Sequence, residues 1–399
     1  MKGSLKITNA LIFDGWAPEL IEGGIRIADG DVVEIGDVKA GGDDRHIDAG
    51  GRMIIPGLID AHFHAYAISL HIDVNEMTPL SYVALAASGR LSSALRRGFT
   101  TVRDVAGGDA GLASAIAEGL FSSPRYFFTG AGLSQTGGHG DPRSSRFDQC
   151  LHGGCSTEVV DGVDGVRLAA RERFRRGAHA IKMMTSGGVI SLDDPIRQPQ
   201  YSSEEIRAVV DEANRRGSYV AAHAYSPEAI RHSVENGIRS IEHGNLLDQE
   251  TATLMAANGS FLVPTLIAYD AMDRRGRDLG LSTASQAKNR EVLNAGKEAI
   301  TRARSAGVKI GFGSDLMGEL EEDQLLGLRL QMEPDGVLNT LRSATSGNAD
   351  LIGRRELGRI AVGCAGDLVI LDGNPLDDPA ALWDVQRTRT VIQSGCLVA

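Results

Sequence analysis

Between Pro56 and about Asn348 the chain alternates apolar, strand-like runs with stretches of helical periodicity, and it does so eight times. Repeated βα units call for a parallel sheet with helices on its faces, and eight of them close a barrel. The expected strands are Gly57–His64, Thr100–Val105, Arg125–Gly132, Ala178–Met184, Tyr219–His223, Arg239–His243, Phe261–Thr265 and Lys309–Asp315. Helix starts fall where this reading needs them. Ser202 and Glu205 have capping-box spacing, and Ser226-Pro227 supplies an N-cap followed by proline at the first helical position.

A (β/α)8 TIM barrel takes roughly 250 residues, so the 399 residues present leave a surplus at the two ends. Leu5-Lys6-Ile7, Gly24-Ile25-Arg26-Ile27 and Val32-Val33-Glu34-Ile35 alternate apolar and polar residues, as do the stretches 366–371 and 389–395. These read as short antiparallel strands. The two ends are expected to pair into one small β-sandwich domain, residues 1–54 with 356–399, beside a barrel domain spanning 55–355.

Composition narrows the partners. With 41 basic against 52 acidic residues, the net charge of −11 argues against a nucleic-acid groove or an anionic membrane surface. A small molecule or a dipeptide is the expected partner, and a homo-oligomer is compatible with the sequence. Met1-Lys2-Gly3 leads into an alternating stretch and not into an apolar signal core, so a cytoplasmic location is expected. The arginines between 171 and 176 read as a solvated helix face. Cys150 and Cys155 flank His152 in one loop at a spacing that matches no usual zinc module; inert thiols, a small bridge or a metal contact are the readings open there.

Active sites on such a barrel lie at the C-terminal ends of the strands. The residues found there are His62 and His64 on the first strand, Lys182 on the fourth, His223 on the fifth, His243 on the sixth and Asp315 on the eighth, with His139 in the loop after the third. Residues two apart on a strand share a face, so His62 and His64 can grip one metal from inside the barrel. An isolated pair of this kind is a weak signal. Here, however, four of ten histidines end strands and a fifth follows one closely. His46, His71, His152, His179 and His232 fall in loops, helices or strand entrances and receive no role.

Lys182 sits in Ala180-Ile181-Lys182-Met183-Met184, where an unpaired ammonium would be costly and its pKa should fall. A neutral buried amine can take up carbon dioxide to give a carbamate, whose two anionic oxygens can bridge two cations. The alternative is a lysine that snorkels outward or pairs with an acid.

These motifs resemble the amidohydrolase superfamily. The likeness is carried by the stretch from Ile55 to His64, by Gly311-Phe312-Gly313-Ser314-Asp315, and by Gly363-Cys364-Ala365-Gly366-Asp367, and it runs essentially end to end. The segments around Gly137-Gly138-His139-Gly140, Ile181-Lys182-Met183-Met184, Ala222-His223-Ala224-Tyr225 and Ile241-Glu242-His243-Gly244-Asn245 are most similar to the imidazolonepropionase-like branch, which includes Xaa-Pro dipeptidases and carboxypeptidase-like enzymes. The resemblance implies one zinc held by His62, His64 and Asp315, a second held by His223 and His243, and N6-carboxylated Lys182 bridging both. It further implies hydrolysis of an amide or peptide bond, with Asp315 as ligand and proton shuttle. His139 and Tyr225 would hydrogen-bond the substrate carbonyl or carboxylate, although Tyr225 also reads as an aromatic packed on the barrel rim. The loop 141–157 is short for a dipeptidase of this branch.

A deaminase on the same fold would use the same histidines and Asp315 with one metal and a glutamate near the fifth strand. Ala222-His223-Ala224-Tyr225 offers no such acid. A catalytically dead scaffold would be expected to have lost ligands, and none is missing. The amide cleaved is left open among a dipeptide ending in proline, another N-acyl amino acid, and a cyclic or xenobiotic amide. The ligand set also accepts manganese, cobalt or iron.

Overall fold

The computed structural model describes residues 4–39, 44–143, 156–191 and 194–398. Cys150, His152 and Cys155 lie outside the described residues.

The two chain ends meet in one eight-stranded sheet formed by Leu5–Ile12, Ile21–Ala28, Asp31–Gly36, Arg45–Asp48, Met53–Pro56, Leu368–Leu371, Arg389–Gln393 and Cys396–Leu397. The join is antiparallel, with Ile54 opposite Ile370, Ile55 opposite Val369 and Pro56 opposite Leu368. The sheet is not purely antiparallel as the alternation suggested. Leu5–Thr8 pairs in parallel with Arg45–Asp48, and Leu11–Ile12 in parallel with Met53–Ile54. Two short segments thus share one side of the first strand, which a periodicity of two cannot reveal because it carries no strand direction. A bulge between Ile7 and Ala10 moves the buried positions from Leu5 and Ile7 to Ala10 and Ile12. One face packs Ile7, Ile12, Ile25, Ile27, Leu368, Ile370 and Ile392 into a common apolar cluster.

The central part is an α/β structure of parallel strands. Leu58–Phe63, Phe99–Asp104 and Arg125–Phe128 form a three-stranded sheet. Thr157–Val159, Gly132–Ser134, Ile181–Met184, Val220–Ala224, Ser240–His243, Phe261–Val263 and Lys309–Ile310 follow one another in a second sheet. Single backbone hydrogen bonds join the two, from Ala61 to the Phe312 carbonyl (2.9 Å), from Asp315 to that of His62 (2.7 Å) and from His179 to that of Phe128 (2.8 Å). Strands such as Ile181–Met184 and Val220–Ala224 are buried at every residue, because helices cover one side and the interior fills the other. Ile206, Val209, Ile230 and Ile300 from the helices pack with Ile181, Ile241 and Leu262 from the strands.

Two expected strands differ. Arg125–Gly132 is divided: Arg125–Phe128 belongs to the three-stranded sheet, and Gly132–Ser134 begins a new strand in the other. Between them Gly130 takes φ +70°, which breaks the ladder. Lys309–Asp315 is a ladder strand only over Lys309–Ile310. Beyond it, Asn348 braces the remaining backbone hydrogen bonds to the neighbouring strands by accepting from the Phe312 amide (3.1 Å) and donating to the carbonyls of Ile59 and Phe312 (2.7 Å each). Gly311 makes this possible, since a Cβ there would lie 2.4 Å from Asn348 Oδ1.

The capping box at Ser202 and Glu205 forms, and Ser226 caps the helix that Pro227 begins. The arginine-rich helix is solvated at Arg171, Arg175 and Arg176, but Arg173 is buried. Its guanidinium donates to the Ala131 carbonyl (2.8 Å) and pairs with Glu158 (2.6 Å), tying that helix to the divided strand. No described helix is long and apolar enough to cross a membrane.

Candidate active site

All eight residues singled out from the sequence line one pocket: His62, His64, His139, Lys182, His223, Tyr225, His243 and Asp315. His62, His243 and Asp315 offer ligand atoms within 4.8 Å of one another. Asp315 Oδ1 lies 3.4 Å from His62 Nε2 and 2.9 Å from His64 Nε2, so one carboxylate oxygen faces both histidines of the first strand.

Each imidazole is held by a contact on one ring nitrogen. His62 Nδ1 donates to Glu242 Oε2 (2.7 Å), and His64 Nδ1 reaches the Ala106 carbonyl (3.3 Å). His223 Nε2 donates to the Gly187 carbonyl (3.2 Å). His243 Nδ1 lies 2.8 Å from both Thr265 Oγ1 and Tyr269 Oη. The other ring nitrogen of each is thereby kept available to a cation. The backbone is strained where the side chains must turn inward: His243 has φ +76° and Asp315 φ +54°, in the left-handed region that non-glycine residues avoid.

Asp60 fastens the ends of the first and eighth strands. Its Oδ1 accepts from the amides of His62 and Ser314 (3.0 Å each), while Oδ2 accepts from Ser314 Oγ (2.5 Å) and Gln324 Nε2 (2.8 Å). Buried Arg90 works similarly, donating to the carbonyls of His64 (3.1 Å), Leu316 (2.9 Å) and Gly318 (3.0 Å).

Burial sets the electrostatics. It holds the Lys182 ammonium down at about 8 despite the opposing fields of Glu242 and Asp315. Burial also keeps His223 and His243 well below the ordinary histidine value, so both rings are neutral and present lone pairs. Burial alone would raise Asp315, but the adjoining His62 and His64 hold its carboxyl well below the usual range. It is an anion at neutral pH. Tyr225 and Tyr269 are pushed upward by burial and remain phenols.

His139 stacks on His223 with ring centroids 4.2 Å apart, and its Nδ1 lies 2.7 Å from Ser191 Oγ, which itself bonds Asp194. Tyr225 stacks on His243 (5.1 Å) and its hydroxyl meets that of Tyr269 at 2.9 Å. Val105, Met184, Val189, Ile190, Met272 and Met317 add an apolar wall to the same lining.

Matching against known families assigns residues 53–398 to the amidohydrolase family. The chain belongs to that family. This amidohydrolase is 32% identical over 366 residues to the ochratoxinase of Aspergillus niger, covering 86% of the chain and 75% of the relative. It is also similar to a prolidase whose crystal structure is complexed with N-methylphosphonate-L-proline, at 43% identity and a TM-score of 0.96, with 99% of each chain covered. A Xaa-Pro dipeptidase crystallised with methionine in its active site matches at 28% identity and a TM-score of 0.88, again over 99% of each chain. The amidohydrolase described here is accordingly a hydrolase acting on C–N bonds.

Sequence reasoning assigned no role to Arg103, Glu242, Asp60, Arg90 or Tyr269. A signal was present for the first three. Each is a charged residue inside a run otherwise fit for a fully buried strand, which demands a partner for it.

Proposed function

We propose that this amidohydrolase cleaves an amide or peptide bond with two divalent metal ions, zinc by preference. The substrate class is a dipeptide of the Xaa-Pro type or an N-acyl amino acid. The single observation that carries the reading is the convergence of four inward-turned imidazoles, anionic Asp315 and buried Lys182 on one pocket. The donor chemistry fits cations: neutral histidines and a carboxylate, with an amine whose depressed pKa of about 8 suits carbamate formation. His62, His64 and Asp315 would hold one ion, His223 and His243 the other, and carboxylated Lys182 would bridge them.

Bound ions of this kind supply Lewis acidity toward a carbonyl and a water acidic enough to ionise at neutral pH. Asp315 accepts the proton of the attacking water and hands it to the departing nitrogen, because an amine leaves poorly unless protonated. Tyr225, stacked on His243, and His139, stacked on His223, donate hydrogen bonds to the substrate carbonyl or its terminal carboxylate. The apolar wall from Val105 to Met317 takes the acyl side of the substrate. The same wall favours a second reading, hydrolysis of a xenobiotic amide of similar shape, as the similarity to a protein named ochratoxinase also suggests.

The architecture belongs to the same proposal. The three- and seven-stranded sheets together make one (β/α)8 barrel spanning 55–355, and the end segments 1–54 and 356–399 form a composite β-sandwich domain. The partner is a small molecule or dipeptide and the location cytoplasmic, with no role for nucleic acid or membrane and with room for self-association.

The test is a screen of Xaa-Pro dipeptides and N-acyl amino acids with zinc-loaded protein, alongside metal analysis. Turnover that disappears on chelation and returns with zinc, at two metals per chain, supports the proposal. A stoichiometry that stays at one under saturating zinc and bicarbonate overturns the binuclear part of it.

A further inference from the structure

Beneath the pocket floor the interior holds an ion pair in place of apolar side chains. Arg103 comes from Phe99–Asp104, Glu242 from Ser240–His243, and both are buried, at 2% and 0% exposure. Glu242 Oε1 accepts from Arg103 Nη2 (2.7 Å) and Ser240 Oγ (2.5 Å), leaving Oε2 to His62 Nδ1 at 2.7 Å. Arg103 Nε donates to the Ala61 carbonyl, the residue just before His62 (2.5 Å). Both oxygens of the carboxylate are therefore in use, and one of them addresses a single imidazole nitrogen.

A buried ion pair rarely stabilises a fold better than apolar residues of the same size, so its presence calls for another reason. The geometry supplies one. A carboxylate that accepts only from Nδ1–H fixes the tautomer of His62, leaves its lone pair on Nε2, and aims that atom at Asp315 Oδ1. We infer that Glu242, held by Arg103, is the positioning residue of the metal centre, dictating the tautomer and ring orientation of His62 and so the affinity for the first cation. This rests on the metal-centre reading above.

The experiment measures zinc affinity of chelator-stripped full-length protein by competition with a zinc-binding dye, together with the melting temperature of the metal-free forms. Wild type and Glu242→Gln are compared, since glutamine keeps the shape and loses the charge. The expected result is about 10- to 100-fold weaker zinc binding in the variant, measured where the metal-free variant is still folded, with a lowered metal-free melting temperature because buried Arg103 loses its counter-charge. Wild-type zinc affinity in Glu242→Gln would overturn the inference and leave the pair as barrel packing. Failure of the wild type to bind zinc would instead defeat the metal-centre reading itself. Should Glu242→Gln not fold, ¹⁵N-histidine NMR of the wild-type holoenzyme decides the matter. A proton on His62 Nδ1 supports the assignment, and a proton on Nε2 overturns it.

Discussion

Gly313 lies so close to His62 that a Cβ on it would sit 2.5 Å from the Cβ of His62 and 2.9 Å from its amide nitrogen. The eighth segment can approach the first strand, and Asp315 can face His62 and His64, only because residue 313 has no side chain. Gly313→Ala must push the two apart. The expected cost is about 1–3 kcal/mol of stability, as for other overpacked interiors, with weakened zinc binding. Urea denaturation and metal titration check it; a variant indistinguishable from wild type in both would mean that the approach tolerates a methyl group.

Replacing Lys182 with Ala should remove the proposed bridge and leave two cations facing neutral rings and one carboxylate, with their repulsion poorly offset. Metal content and turnover should fall together, and a small carboxylic acid at high concentration should restore part of both. If Lys182→Ala retained two metals and near-native turnover, the bridged centre would be abandoned.

The metal-free protein should lose stability on acidification. His223 and His243 have folded values well below the ordinary histidine value of about 6.5, so the unfolded chain binds more protons than the folded one as the pH falls through that value. Stability conferred by keeping them neutral is present above pH 6.5 and declines below it, by at most about 1.4 kcal/mol per pH unit for each ring. Melting temperatures of the chelated protein between pH 8 and 5 report this. A flat profile would contradict the burial of these two histidines.

Tyr225→Phe removes the hydroxyl proposed to hold the substrate while sparing the ring that stacks on His243. Losing one hydrogen bond to a charged group costs about 1.5–3 kcal/mol, so kcat/KM should fall about 10- to 100-fold. Metal content should stay unchanged. Steady-state kinetics on the best substrate from the screen tests this, and unchanged kcat/KM would return Tyr225 to a packing role.

Much of this molecule is legible without coordinates. The alternation of apolar runs with helical stretches calls for parallel α/β structure, and strand parity alone puts His62 and His64 on one face. Charge and hydropathy make Lys182 a buried amine, because a residue's burial in a fully covered strand is a local property of its neighbours in sequence. Tertiary structure alone decided where the third strand breaks at Gly130, which neighbours lie parallel to Leu5–Ile12, and how Asn348 braces the eighth segment against the first strand. It alone brought Glu242 to His62 across 180 residues of chain and turned each imidazole by the group behind it. Periodicity records which face a side chain occupies; it does not record what stands opposite, and the tautomer of a histidine depends on that opposing group.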